Sequence, residues 1–254
     1  MSWRLHAPVG LSAIRVRDDR TRSGWRALDY DLVFNADGSV SPKSGLYSLF
    51  ISGGGSASQV AASGVVRVTS PDGSLLGFSW PGALPKPVLD GPKATFTEVL
   101  PGVDLVVEAN ASGFEQFFIL KVKPSAEVVA QLELPLKLKK VKAVESPDGS
   151  FTFENGLASE VASLPIPRVW DSSFEPKSGG AVEGSLNANL NVESNTLELG
   201  GLAAFLENPD LVYPVTVDPA LSLNPVSDVY VRDDTGAAYW SSTELLVGTY
   251  DGGA

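Results

Sequence analysis

Four carboxylates in the most apolar stretch of the chain, Glu98, Asp104, Glu108 and Glu115, are the first residues whose type could do chemistry. Two carboxyl groups facing each other across a sugar form the one hydrolytic plan that needs neither histidine nor cysteine. No two of these four have a spacing that sets a separation, and alternation along a strand turns each of them to solvent. His6 is the single histidine and cysteine is absent. A Ser-His-Asp arrangement, a multi-histidine metal site and a thiolate nucleophile or ligand are therefore excluded. Asp29, Asp31, Asn35 and Asp37 offer oxygens for calcium, but their spacing misses the Asp-x-Asp/Asn-x-Asp/Asn-Gly loop and lacks its closing glutamate. Turn chemistry accounts for them. Gly53-Gly54-Gly55 follows the strand-like Leu46–Ile51 with neither a Gly-Lys-Ser/Thr nor a helix start behind it, so it reads as a hairpin loop and not a phosphate cradle.

Lys137, Lys139, Lys140 and Lys142 make the only basic cluster, read as a solvated edge that blocks aggregation. Trp3, Trp25, Trp80, Trp170 and Trp240 are dispersed. Trp80 and Trp170 read as core plugs at strand ends, with exposed sugar stacking as the alternative. The sequence thus yields no catalytic, cofactor-binding or metal residue and calls for no cofactor.

The elements that would position any such site are strands. Leu132, Leu134, Leu136 and Leu138 alternate with polar residues and Pro135, so one face is apolar. The phase flips at Lys139-Lys140, where a β-bulge would restore the inward set at Val141 and Ala143. Leu186, Ala188, Leu190 and Val192 alternate with asparagines and Glu193. Phe114–Leu120 is apolar on both faces and reads as a central, doubly buried strand. Asn35-Ala36-Asp37-Gly38, Pro71-Asp72-Gly73 and Pro147-Asp148-Gly149 read as hairpin turns. Short helical turns are expected at Ser125–Ala130 and Leu202–Glu207.

Composition agrees. Hydrophobic residues make up 43% of 254 residues and charged ones 19%, with 25 glycines and 18 prolines. That is enough apolar matter for a packed core, with turn formers suited to short strands. The net charge of −11 argues against nucleic acid and against an anionic membrane surface. No stretch reaches the length of a membrane span, and the first residues lack the apolar run of a signal peptide.

Several phrases, in order, carry a resemblance. Trp25-Arg26-Ala27-Leu28-Asp29, Asn35–Lys43, Phe78–Val88, Glu98–Leu105, Val169–Ser173 and Tyr213–Pro219 resemble the β-rich region near the start of large exported bacterial proteins. Those proteins carry DNRLRE-type or LamG-like modules and often Rhs/YD-repeat arrays. From Ser227 the chain resembles the opening strands of a DNRLRE-type module, through Ser227–Arg232 and Leu245–Gly248, with Val229, Val231, Leu245 and Val247 as the inward candidates of these strands. The resemblance implies an interior or truncated piece of a longer secreted or cell-surface chain, and it brings no residue set of assigned activity.

The combined expectation is an all-β fold: a β-sandwich over residues 10–219, then an incomplete jelly-roll start over 220–254. The expected function is a non-enzymatic structural or presentation segment of a secreted or cell-surface bacterial protein, lying upstream of Rhs/YD-repeat or toxin regions. Its partners would be downstream modules of the same polypeptide or cell-wall or extracellular polysaccharide, with no nucleic acid and no membrane insertion. A carbohydrate-binding or adhesive module is the alternative, and a carboxylate-based glycoside-processing enzyme the second alternative.

Overall fold

The computed structural model describes residues 15–17, 25–70, 73–173, 182–191, 193–219, 221–223, 230–231 and 238–239. A backbone hairpin comes first, β1 (Arg15–Arg17) with β2 (Trp25–Ala27). A smaller sheet begins with β3 (Asp29–Phe34), β4 (Val40–Ser44), β5 (Ser48–Ile51), β6 (Val66–Thr69) and β7 (Leu75–Phe78), with helix α1 (Ala57–Ser63) between β5 and β6. A larger sheet starts with β8 (Val88–Asp90), β9 (Lys93–Leu100), β10 (Val103–Asn110) and β11 (Gly113–Leu120). Helix α2 (Ala126–Val129) leads back to β12 (Glu133–Lys139) in the smaller sheet. The larger sheet then gains β13 (Val141–Glu145), β14 (Phe151–Asn155), β15 (Glu160–Leu164), β16 (Arg168–Trp170) and β17 (Glu183–Ser185). β18 (Asn187–Asn191) and β19 (Thr196–Gly200) join the smaller sheet, and after α3 (Leu202–Leu206) the strands β20 (Val215–Asp218) and β21 (Leu221–Leu223) return to the larger one. A last backbone pair is β22 (Tyr230–Val231) with β23 (Ala238–Tyr239). The fold is all-β, with every strand pair antiparallel, as the sequence led us to expect.

The two sheets bury one apolar core between them. Phe78 of the smaller sheet meets Phe114 of the larger edge to face at 6.1 Å, and Trp80 lies 5.9 Å from Phe118. Both contacts suit the ring quadrupoles and fix the facing of the sheets. Trp80 is a core plug, as expected. At one edge the layers are tied directly, Leu32 N–H donating to Gly91 O at 2.8 Å.

The strand alternations place Leu132, Leu134, Leu136, Leu186 and Ala188 in the core, with Leu138 and Leu190 packed against it. Val192 lies outside the described residues. The turns hold too: Gly38 and Gly149 take φ 83° and 84°, a left-handed position that favours glycine. Asp37 and Asp148 each accept from the backbone and hydroxyl of the serine two residues on. Gly73 closes onto Ser70 O at 2.9 Å, while Pro71 and Asp72 lie outside the described residues.

Three readings need correction. The flip at Lys140 is no bulge: Lys140 sits at φ 57° where the chain leaves the smaller sheet and enters the larger. A sheet change inverts the inward parity just as a bulge does. The chain changes sheet again at Leu186, between β17 and β18. A helix does follow the glycines, opened by Ser56, whose N–H donates to Gln59 Oε1 at 2.9 Å. The glycines themselves are close-packed. A Cβ at Gly53 would lie 1.8 Å from Gly38 O, and one at Gly54 2.6 Å from Pro85 O. Finally, β11 buries one face only: Phe114, Phe118 and Leu120 are in the core, while Phe117 and Ile119 are half-buried on the outside.

The expected boundary near residue 219 falls between β20 and β21, and β21 still pairs with β11 and β15. The inward candidates of the tail, Leu245 and Val247, and the side chains of Val229 and Val231 lie outside the described residues, as do His6, Trp3 and Trp240. Among the described residues no helix is long and apolar enough to cross a membrane.

Candidate functional site: carboxylates on the outer face of the larger sheet

Register across the larger sheet gathers all four sequence candidates on its outer face, in two groups. The first forms where β9 turns into β10. Glu98 takes φ 54° and its N–H donates to Asp104 Oδ1 at 2.8 Å. Its own Oε2 accepts from Gly102 N–H at 2.9 Å. Lys121, one residue past β11, pairs with Glu98 and reaches Asp104 at 2.9 Å. The Lys121 hydrogen bond, aided by Gly102, holds the Glu98 carboxyl below its ordinary range, and Lys121 is raised in return. These acids shape a bulged hairpin, and the lowered Glu98 stays ionised at neutral pH.

The second group can move a proton. Glu108 and Glu115 stand directly opposite on β10 and β11. Lys93 of β9 pairs with Glu108 at 3.3 Å. Burial first, then the charge of Glu108, raises the Glu115 carboxyl, with Lys93 pulling the other way. On the far side of β11, Phe118 faces Val217 of β20, which brings Asp218 alongside Phe117. Asp218 is pushed up to about 6 by burial and by Glu115, against the opposing Arg168 across the strand pair. Its Oδ1 is buried without a hydrogen-bond partner. A carboxyl poised near 6 can give or take a proton at neutral pH. Sequence reasoning missed Asp218, because its neighbours are set by a pairing one hundred residues apart; the alternation Val215-Thr216-Val217-Asp218 shows only that it points outward.

Beside Asp218 the sheet forks, one branch running through β20 and β16 and the other through β21 and β15. An open groove of about 630 Å³ lies at the fork, lined by Ser150, Ser163, Ile166, Arg168, Ser185 and Ser222 among others. A second open groove, about 750 Å³, lies by Lys140, Lys142, Glu154 and Leu157. The change of sheet splits the basic cluster: Lys137 reaches Ala61 O on α1, while Lys142 pairs with Glu154 at 3.0 Å in the other layer.

Asp29 and Asp31 pair with Lys43 at 3.7 and 2.9 Å. No group of three or more acids or histidines that could hold a metal occurs among the described residues. Trp170 ends β16 on the outer face and is absent from the core, contrary to the expectation of a plug.

Comparison with known proteins changes the functional picture. A stretch of 147 residues, 56% of this chain, is 30% identical to the tRNA nuclease WapA of Bacillus subtilis strain 168. Over the same length it is 29% identical to the tRNA(Glu)-specific nuclease WapA of Bacillus subtilis subsp. natto and to the tRNA3(Ser)-specific nuclease WapA of Bacillus spizizenii. The match spans 6% of the length of each of these relatives. No family model matches the chain and no solved structure matches it.

Three expectations are corrected by these relatives: a non-enzymatic segment, the absence of enzyme activity, and the absence of a nucleic-acid partner. All three are overturned by relatives whose names are those of tRNA nucleases. The physical reason is one of scope. A net charge of −11 and a lone histidine describe these 254 residues. Electrostatic repulsion acts at the surface that meets the phosphates, and the matched section is 6% of the relatives' length, so its charge does not speak for the whole of such a protein.

Proposed function

We propose that this chain is a section of a tRNA-directed nuclease polypeptide. The observation that carries the reading is the similarity to three proteins named as tRNA nucleases. Cleavage and substrate are proposed for the whole polypeptide, since the matched section is 6% of the relatives' length. The names specify different tRNAs, for glutamate in one relative and serine in another, while the identity to this chain is 29% in both. That equality supports assigning the choice of tRNA to residues outside the matched section.

We further propose that the polypeptide is exported or displayed at the cell surface. The ordered resemblance of residues 25–219 to the β-rich region of large exported bacterial proteins supports this, as does a chain that needs no oxidative folding, having no cysteine. The experiment is to purify the polypeptide encoded by the gene that carries this sequence and incubate it with total bacterial tRNA. Cleavage of a discrete tRNA subset is expected. A tRNA pool left intact across a range of salt and divalent cations overturns the reading.

A further inference from the structure

In the larger sheet two strands meet end to end along a third. Val217 of β20 lies opposite Phe118, and Leu221 of β21 lies opposite Phe114. The intervals 218–220 and 115–117 are equal in length, so β20 and β21 follow β11 in one register. The line is broken at Pro219, which has no N–H to give to a ladder. The neighbour on the other side changes at the same place: β20 pairs with β16, and β21 with β15. Pro219 is buried. Asp218 and Pro219 are also the one Asp–Pro pair in the sequence, and the bond that joins them lies at the fork of the sheet.

An aspartate before a proline holds the parts of an intramolecular acyl transfer. Its side-chain oxygen can close a small ring on its own backbone carbonyl carbon, with no second molecule to bring into place. The nitrogen that is displaced belongs to a tertiary amide and departs as a secondary amine once it has gained a proton. A protonated carboxyl supplies both the oxygen and that proton, whereas a carboxylate supplies the oxygen alone. At Asp218 the surroundings keep the proton in place. Its Oδ1 is buried and meets no donor. Two charged groups act on it from the flanking strands: Glu115 of β11 opposes a second negative charge, and Arg168 of β16 favours one. Arg168 is itself paired with Glu183 of β17. Glu115 stands opposite Glu108, which is paired with Lys93.

We propose that the chain cuts itself between Asp218 and Pro219, with the Asp218 carboxyl as nucleophile and proton source. A bond forms from the side-chain oxygen to the Asp218 backbone carbonyl carbon. The bond from that carbon to the Pro219 nitrogen breaks, and the carboxyl proton passes to the nitrogen. Residue 218 is left as a cyclic anhydride. Water then opens it, which restores the side-chain carboxyl and leaves a terminal carboxyl at 218. The reaction needs water and no other reactant. It divides the covalent chain while β20 and β21 each keep their pairing with β11. The proposal stands apart from the nuclease reading, since it concerns a bond within this chain.

The test is to incubate the purified 254-residue chain at pH 5 and pH 8, folded and in urea. Gel electrophoresis and intact-mass spectrometry follow the products. Fragments 1–218 and 219–254 are expected, the second beginning at Pro219. A carboxyl that titrates at about 6 is mostly protonated at pH 5, where an unfolded aspartate, at ~3.9, is mostly ionised. Cutting of the folded chain at pH 5 should therefore run about 10-fold faster than in urea at the same pH, and about 100-fold faster than at pH 8. Asp218→Asn should abolish it. Asp218→Glu keeps the acid but needs a larger ring, and should slow it at least ~10-fold. A folded chain that stays whole at pH 5 overturns the proposal. So does cutting no faster than in urea, which is the plain acid lability of an Asp–Pro bond and owes nothing to the fold. Cutting that survives Asp218→Asn overturns it as well.

Discussion

One pair of strands, β16 with β20, ends in an aspartate at each extremity, and the two aspartates are treated in opposite ways. Asp171 follows β16 and is 1% exposed. Its Oδ1 accepts from the Ser173 backbone and hydroxyl at 3.1 and 2.6 Å, and its Oδ2 accepts from Val212 N–H at 2.9 Å. Burial pushes this carboxyl up, but the hydrogen bonds outweigh it and the net shift is downward. Asp218 closes β20 at the other end, with Oδ1 buried and unpartnered, and burial together with Glu115 raises it to about 6. Burial alone therefore does not tell what a carboxylate does. The number of donors aimed at it does. Asp171 clamps the turn after β16 to the segment before β20; Asp218 holds a proton that can leave near neutrality.

The sharpest way to break this comparison is Asp171→Ala. It leaves the Val212 and Ser173 N–H groups without their acceptor in a buried place, and should lower stability by about 2–4 kcal/mol in chemical denaturation. Asp171→Asn keeps the shape and should recover part of that. A loss below about 0.5 kcal/mol for Asp171→Ala would remove the clamp from the account.

Asp218→Asn should act in the opposite direction. The folded-state value of Asp218 lies above the unfolded one, so its contribution is fully present below the unfolded pKa and is lost as pH rises through about 6. Removing the charge should stabilise the protein at pH 8 by about 1–2 kcal/mol, after discounting for its partial exposure, and the gain should fade towards pH 4. For Asp171 the sign is reversed. Its folded value is depressed, so its stability is present above the unfolded value and is lost as pH falls through the folded one. Melting temperatures across pH 3–9 should show both variants departing from the parent at the alkaline end and in opposite directions, Asp218→Asn above it and Asp171→Asn below it, with both differences shrinking towards acid. Departure in the same direction would refute the assignment.

How much of this was legible beforehand depends on the range of the interaction. The motif shared by Asn35–Ser39 and Ser146–Ser150 is local, an aspartate before a glycine and a serine, and its geometry follows from those residues alone. The leucine alternation of β12 is local as well. The helix α1 was legible in Ser56-x-x-Gln59, a pattern outweighed by the run of glycines before it. The sheet changes at Lys140 and Leu186 were not, because reversed parity has two physical causes that look alike along the chain. Asp218 was not either: its proximity to Glu115 depends on β20 crossing to pair with β11, a register that no short window contains.

Ser173→Ala sharpens the Asp171 end alone. It removes the hydroxyl that donates to Oδ1 at 2.6 Å while leaving the backbone donors, and should cost about 1 kcal/mol. The loss should be absent in an Asp171→Ala background, where the acceptor is gone. Additive losses would mean that the hydroxyl acts elsewhere.

The smallest effect tests the other end, and it turns on an asymmetry. Glu115 raises Asp218, whereas the causes acting on Glu115 are burial, Glu108 and Lys93, without Asp218. Coupling between two charges is reciprocal at a given pair of charge states, so an influence that runs one way implies an order of titration. A Glu115 that is charged before Asp218 titrates would raise it, whereas a still-protonated, neutral Asp218 would exert little field on Glu115. Glu115→Gln should therefore lower the Asp218 midpoint below about 6, while Asp218→Asn should leave Glu115 where it is. Side-chain carboxyl carbon NMR against pH measures both. If Asp218→Asn moves Glu115 as far as Glu115→Gln moves Asp218, the two share a proton as one site, and the division into a charged neighbour and a late-titrating acid fails.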